Sequence, residues 1–400
     1  MLKYWIWLSE ALEYGSMHFK TLLERYSNPQ VIFRTPVKEL EATYLLNPNE
    51  IKRLSWKSLD KSLKIIDLCK KSGITIIPYD DERYPATLKE ISNPPVCLYV
   101  KGTMPDFSKI PVVTIVGARK VSEYGRMVAW SLAGRLAAGG ICILSGGALG
   151  VDCASHEGCM AVGGKTVAII PCGLNYDYLK TNAFLRKMIC DSGCLISELP
   201  PDEPLHKNAF QLRNRLMSGM SLGVVIVEAA EKSGTMITAR HAVEQGRDVF
   251  VVTGRAGDKN YAGSNSLIRD GAKPVFSAED IFLEYINSYP NIIDIEKAKK
   301  TNLNKIYSIF NSPKNIRTED PKQVSTPETK ESNKKFKKKI DETLPKTLQI
   351  VYNYIDKDIF LADDLLCCGL PLDEILSALT QLEIYGYIKA IPGARYEVIY

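Results

Sequence analysis

The 400-residue chain has no apolar run that reaches the ~20 residues a membrane helix needs. Its first ten residues, Met1-Leu2-Lys3-Tyr4-Trp5-Ile6-Trp7-Leu8-Ser9-Glu10, lack a cationic start and a small-residue cleavage site. No signal peptide is read there, no membrane association is expected, and a cytoplasmic location follows by default. Histidine is scarce: His18, His156, His206 and His241 include no metal-spaced pair. The ten cysteines offer no CxxC facing another CxxC or a His pair, so buried reduced thiols are expected rather than a disulfide scaffold or a zinc site. There is no G-x-S-x-G elbow, no Gly-Lys-Ser/Thr Walker motif and no GxGxxG. No catalytic residue, metal or cofactor is therefore expected.

What is present is an ordinary globular composition, 45% hydrophobic and 24% charged, which excludes a wholly disordered or fibrous chain. The net charge of +5 is unevenly spread. Residues 297–340 hold thirteen Lys/Arg against four Asp/Glu, whereas residues 343–400 hold four against eight. The basic stretch, rich in Lys, Asn, Ser, Thr and Pro, is expected to be a disordered linker over 287–342, acting either as a phosphate-attracting tether or as a solubilising spacer.

Residues 1–72 show helical apolar spacing interrupted by Pro29, Pro36 and Pro48, and predict a small all-α module of the SAM or helix-hairpin-helix type. Gly73–Pro78 reads as a short strand opening a joining segment. From Val112 the pattern becomes regular. Apolar runs at Val112–Val116, Ile141–Leu144, Thr166–Ile170, Leu195–Ile196, Val224–Val227 and Val249–Val252 alternate with helix-length segments. Continuous apolar strands bracketed by helices predict an α/β fold, an extended Rossmann-like parallel sheet covered on both faces, within a core over 73–286. Residues 343–400 read as three helices (Leu344–Ile355, Leu361–Leu366, Leu372–Tyr385) and a hairpin, a winged-helix module.

In an open parallel sheet, ligands sit beyond the carboxyl ends of the strands. Those ends carry Gly117-Ala118-Arg119, Ser145-Gly146-Gly147-Ala148-Leu149-Gly150-Val151-Asp152, Ser197-Glu198 and Glu228. The Gly146–Gly150 turn opens a helix and suits a phosphate, with glycines allowing close approach and a helix start offering free N–H groups. Asp152 there is either functional or a first-turn helix acid. Arg119, between a strand and a helix, can meet an anion bidentately. Arg213, Asn214 and Arg215 either face a ligand or tie loops together. Phe210 either stacks on a base or packs in the core. Lys180 and Lys207 are surface lysines unless a ligand recruits them. Glu198 and Glu228 could form a carboxylate pair, but no acid–base geometry is legible.

These residues resemble the DNA-processing protein A family, also called DprA or Smf. The resemblance runs through Val116-Gly117-Ala118-Arg119 with Ser122, Ser145-Gly146-Gly147-Ala148-x-Gly150-Val151-Asp152-x-x-x-His156, and Gly173–Asn182. It continues through Ile196-Ser197-Glu198, Phe210 with Arg213-Asn214-Arg215, Val227-Glu228-Ala229, and Ser233-Gly234-Thr235 with Thr238. It implies a protein that binds single-stranded DNA, dimerises, and loads the RecA recombinase in natural transformation. It also implies DNA contacts from Arg119, Lys180 and Lys207, with Gly117, Ser145, Gly146, Gly147, Gly150, Asn182, Phe210 and Arg213 around them. Asp152, Glu198, Asn214, Arg215 and Glu228 would shape the pocket. Asn175 and Leu179 stand where the family usually has Asp and Pro, and Gln211 and Thr253 where it has Pro, so these loops are expected to be less fixed.

Two rival readings are weighed. A phosphoribohydrolase of the same sheet type would need a Pro-Gly-Gly-x-Gly-Thr run, whose counterpart here, Glu228-Ala-Ala-Glu-Lys-Ser-Gly-Thr, lacks the paired glycines. A winged-helix regulator would need basic readers. The candidate recognition helix, Pro371–Tyr385, has only Gln381 among Asp373, Glu374 and Glu383.

Overall fold

A computed structural model describes residues 1–310 except 13 and 179–181, and residues 341–399 with gaps at 342–343, 356–358, 362–364, 366–369, 371 and 392–394. The chain divides into two compact units, 1–317 and 318–400.

The first unit is built on nine strands: β1 (Ile74–Pro78), β2 (Cys97–Gly102), β3 (Val112–Val116), β4 (Cys142–Ser145), β5 (Thr166–Ile169), β6 (Cys194–Ser197), β7 (Gly223–Ile226), β8 (Asp248–Val252) and β9 (Lys273–Val275). Their order is β1-β2-β6-β5-β4-β3-β7-β8-β9. From β6 to β9 every pair is parallel, and β2 joins β6 antiparallel with β1 outside it. This is the expected α/β fold. The sequence reading did not name β2 or β9 as strands. Strand β2 is enclosed by Pro94-Pro95 and Gly102. Strand β9 is three residues long and contains Pro274, which a sheet tolerates only at its edge.

The sheet is buried because its strands alternate between two cores. Val112 and Val116 of β3 join a cluster with Leu216, Met217, Ala239 and Ala242 of the helices Ala209–Gly219 and Gly234–Glu244. Val113 and Ile115 face the opposite side, against Ala129, Trp130, Ala133 and Leu136 of the helix Glu123–Ala138. Period-2 alternation thus places apolar side chains on both faces. Thr114, the polar residue of β3, spends its hydroxyl on the Met217 carbonyl at 2.9 Å.

Six short helices fill residues 2–72. Pro29 and Pro48 occupy first-turn positions behind Asn28 and Asn47 caps, where a missing N–H costs nothing. Glu50 closes a capping box with Asn47 and binds Ser16 and His18 at 2.6 and 2.7 Å, joining three segments. The core of these helices continues onto β1 and β2 through Ile74, Cys97 and Tyr99.

The expectation of a disordered linker beginning at 287 is corrected. Residues Ile295–Lys300 and Leu303–Phe310 are helices, and Ile293, Ala298 and Leu303 are buried against the sheet's second core. Tyr307 packs edge-on to Trp130 at 4.9 Å and accepts from Arg126 at 2.8 Å. The remainder of that segment, 311–340, lies outside the described residues. In the second unit the helices Lys346–Tyr354 and Leu372–Ile384 accompany three antiparallel strands. One of them, Ile359–Leu361, ends on the first residue of the helix expected over Leu361–Leu366. Its apolar residues pair with Arg395–Glu397. The rest of that expected helix lies largely outside the described residues.

His156 sits fully buried in the helix Val151–Ala161. Thr166 donates its hydroxyl proton to the Ile143 carbonyl, so His156 Nδ1 donates to Thr166 Oγ1 at 2.7 Å and Nε2 is left without a partner. Burial, aided by Arg213, pushes the imidazole down to about 3. A histidine that stays neutral when folded but charges when unfolded gives stability that is complete above the ordinary value of 6.5. That stability is lost as pH falls toward 3, by up to about 1.4 kcal/mol per pH unit. Denaturant unfolding at pH 7 and pH 5 should therefore show a smaller acid loss for His156→Gln than for the wild type; equal losses would refute the assignment.

Candidate nucleic-acid interface

The strand order reverses at β3. The chain runs outward from β3 through β4, β5 and β6, then returns to place β7 on the other side of β3. The crevice at such a reversal is where open α/β sheets bind ligands. A cavity of about 410 Å³ lies there. Its wall combines Gly117, Ala118 and Arg119 after β3, Ala148 and Asp152 after β4, Phe210, Arg213 and Asn214 from one helix, and Ser233, Gly234, Thr235 and Thr238 from the next.

Arg119 is exposed, and its guanidinium stacks over the Phe210 ring at 4.5 Å. It has no hydrogen bond or ion pair to any described residue. Its loop is held from below. Glu228, fully buried, accepts from Ser122 N at 3.1 Å and from Ser122 Oγ at 2.6 Å, while Ser122 Oγ caps Gly125 N at 3.0 Å. Glu228 is thus an anchor for the Arg119 loop, not half of an acid–base pair. Glu198 binds Arg215 instead, at 2.6 and 2.7 Å, and both are buried away from the cavity mouth.

Other expected contacts are redirected inward. Ser145 donates to the Ile115 carbonyl at 2.7 Å and ties two strands. Arg213 reaches the cavity wall, but its Nη1 serves the carbonyls of Gly146 and Ile169 at 2.7 and 2.6 Å and its Nε serves Asn214. Asn214 in turn reaches the Gly234 carbonyl at 3.4 Å. Asn182 is buried against the Gly147 carbonyl at 3.4 Å. Lys207 is exposed beside the helix Ala209–Gly219 and does not line the cavity. Lys180 lies outside the described residues.

The Gly146–Gly150 loop is less free than its composition suggested. Ala148 N donates to Asp152 at 3.3 Å, and Val151 N, the first amide of the helix that follows, donates to the Ala118 carbonyl at 3.2 Å, so neither is free for a ligand. Its glycines serve packing. Gly150, at φ 80°, lies under the carbonyls of Ala118 and Arg119, which any Cβ would overlap. Asp152 is buried, which raises its carboxyl, while Arg213 opposes the rise. The sequence reading did not single out Asn214, Met217, Thr235 and Thr238 as one wall. The available signal was Ser-Gly-Thr at a helix start, since glycine and small hydroxyl residues leave room beside free amides.

A sequence model of the DNA recombination-mediator protein A family matches residues 75–286, and the whole cavity wall lies inside that span. The DNA processing protein DprA of Bacillus subtilis is 36% identical over 258 residues, covering 64% of this chain and 87% of that protein. The chain belongs to the DprA family. The DprA of Streptococcus pneumoniae superposes with a TM-score of 0.63 at 30% identity, covering 71% of this chain and 98% of that one. A Helicobacter pylori DprA with a described single-stranded DNA binding mode is also similar, at 30% identity and TM-score 0.49, covering 54% of this chain and 97% of that one. The DprA family is one of recombination mediators, binding proteins rather than enzymes. Among the described residues no helix is long and apolar enough to cross a membrane.

Proposed function

We propose that this DprA-family protein binds single-stranded DNA in the cavity beside β3 and hands it to a RecA-type recombinase. The observation that carries the reading is the unpaired Arg119 guanidinium stacked on Phe210 at the mouth of a one-nucleotide-sized cavity. Arg119 takes a phosphate, Lys207 attracts the backbone nearby, and an unstacked base enters against Phe210. A duplex keeps its bases stacked and cannot enter. The wall holds two arginines and one aspartate, so each site is only weakly positive and affinity should be modest per protomer. Dimerisation would place two sites on one strand and raise avidity.

Fluorescence anisotropy with a labelled strand and its duplex tests this. The strand should bind at least about tenfold tighter, with log K falling by about 0.7 per neutralised charge against log salt. Equal affinity for both forms would sink the reading. RecA loading is tested separately, by RecA filament growth on strands precoated with a single-strand-binding protein, which the wild type should accelerate. For the acidic second unit we assign a winged helix that contacts protein. The helix Leu372–Ile384 carries Asp373, Glu374 and Glu383, which would meet phosphates of like charge.

A further inference from the structure

The wall of the cavity contains a feature that single-strand binding through Arg119 does not use. The helix Gly234–Glu244 starts there, and no side chain caps it. Met236 N donates to the Ser233 carbonyl at 3.2 Å, which leaves the amides of Gly234 and Thr235, both in the cavity wall, at the positive end of the helix dipole. Ser233, the residue at the cap position, has its Oγ buried with no hydrogen-bond partner. Thr238, one turn into the helix, is 1% exposed, and Thr235 is 8% exposed. Both line the cavity, and neither hydroxyl has a partner among the described residues. One buried hydroxyl without a partner, two threonine hydroxyls and a helix start thus share one stretch of the cavity wall. Buried polar groups are nearly always satisfied, so the unpartnered Ser233 hydroxyl, with two threonine hydroxyls beside it in the wall, marks a place for an acceptor with several oxygens.

The geometry points to a seat for a terminal phosphate, a phosphate monoester, at Ser233, Gly234, Thr235 and Thr238. This rests on the proposed strand-binding function and deepens it. A phosphodiester in mid-strand continues in both directions, whereas this seat is floored by Thr238, Asn214 and Met217, all buried. A group that ends in free oxygens fits such a floor. Its base then lies toward Phe210, and Arg119 at the mouth takes the next phosphate. The charge balance allows it. Asp152 is the one carboxylate in the wall, its ionised form is disfavoured by burial, and Arg213 stands beside it. The same chemistry has two sources, the phosphorylated end of a strand and a free nucleoside monophosphate.

The test compares oligothymidylate strands carrying a 5′-phosphate, a 3′-phosphate or hydroxyls at both ends, by anisotropy on the full chain. Thymidine 5′-monophosphate and thymidine serve as competitors. An end-phosphorylated strand should bind about tenfold tighter than the hydroxyl strand, as a dianion at a helix start with charge-assisted hydrogen bonds would give. Displacement by thymidine 5′-monophosphate but not by thymidine, with no gain for phosphorylated strands, would assign the seat to the free nucleotide. Thr238→Val, which keeps the shape of the side chain, and Ser233→Ala at the half-buried cap should each bring the phosphorylated-to-hydroxyl ratio toward one. Tight hydroxyl-strand binding with no phosphate preference and no nucleotide competition would overturn the seat while leaving the strand-binding function standing. Failure of every strand to bind would instead overturn that function, and the nucleotide arm would still decide the seat.

Discussion

Arg119→Ala is expected to weaken single-strand binding by about 10–100-fold, the worth of a charge-assisted contact made by a guanidinium. The side chain is exposed, bonds to no described residue and touches Phe210 through its face, so its removal should leave the fold and the Tm unchanged. Two further readouts separate a phosphate contact from a general loss of positive charge. The slope of log K against log salt should fall by about 0.7, one counterion's worth on a single strand. Arg119→Lys should keep that slope yet bind more weakly than wild type, because an ammonium cannot lie flat on Phe210 or grip a phosphate with two parallel bonds. Unchanged affinity in Arg119→Ala would move DNA binding away from the cavity, with Lys207 and the basic segment 297–340 the next places to test.

The sheet was legible where its strands were continuous apolar runs. Six of the seven parallel strands announced themselves this way, because a strand buried on both faces must be apolar throughout. The edges were not, since a short strand with Pro274 needs only one neighbour and little burial. Arg119 was legible from position alone, a guanidinium just past a strand end. The uses of Ser145, Arg213 and Glu228 were not. Each depends on a partner far along the chain, such as Ile169 for Arg213 or Ser122 for Glu228, that only the folded topology brings near. Nor did composition reveal the helices at 295–310. Four lysines mark that stretch, yet Ile295, Ala298, Leu303, Ile306 and Tyr307 keep helical spacing, and those few apolar contacts hold it against Trp130 and its neighbours. Net charge reports the solvated face of a segment and not the face it buries.

The largest stability effect should come from the buried pair Glu198–Arg215, which the fold places away from the cavity wall. Arg215 gives both of its short bonds through Nη2, while Nε and Nη1 are buried without partners. The turn at Gly15 closes over it, with room for little more than a hydrogen at that Cα. The pair thus sits at the seam between the N-terminal helices and the sheet. Its charges have been taken out of water, and the N–H groups on Nε and Nη1, most of the guanidinium's donors, gain nothing in return. Glu198→Gln would leave a full positive charge buried with no counter-charge, which costs about 3–5 kcal/mol. At 2–4 °C per kcal/mol the Tm should fall by about 10 °C. The double replacement Glu198→Leu with Arg215→Met should recover most of that loss, because it removes both charges and fills the seam with apolar volume. A pair that stabilised the fold on balance would give the opposite order, with the double variant at least as unstable as Glu198→Gln. Thermal unfolding of the two variants distinguishes these outcomes. Single-strand affinity at a temperature where both are folded should stay close to wild type, since neither side chain reaches the wall around Arg119.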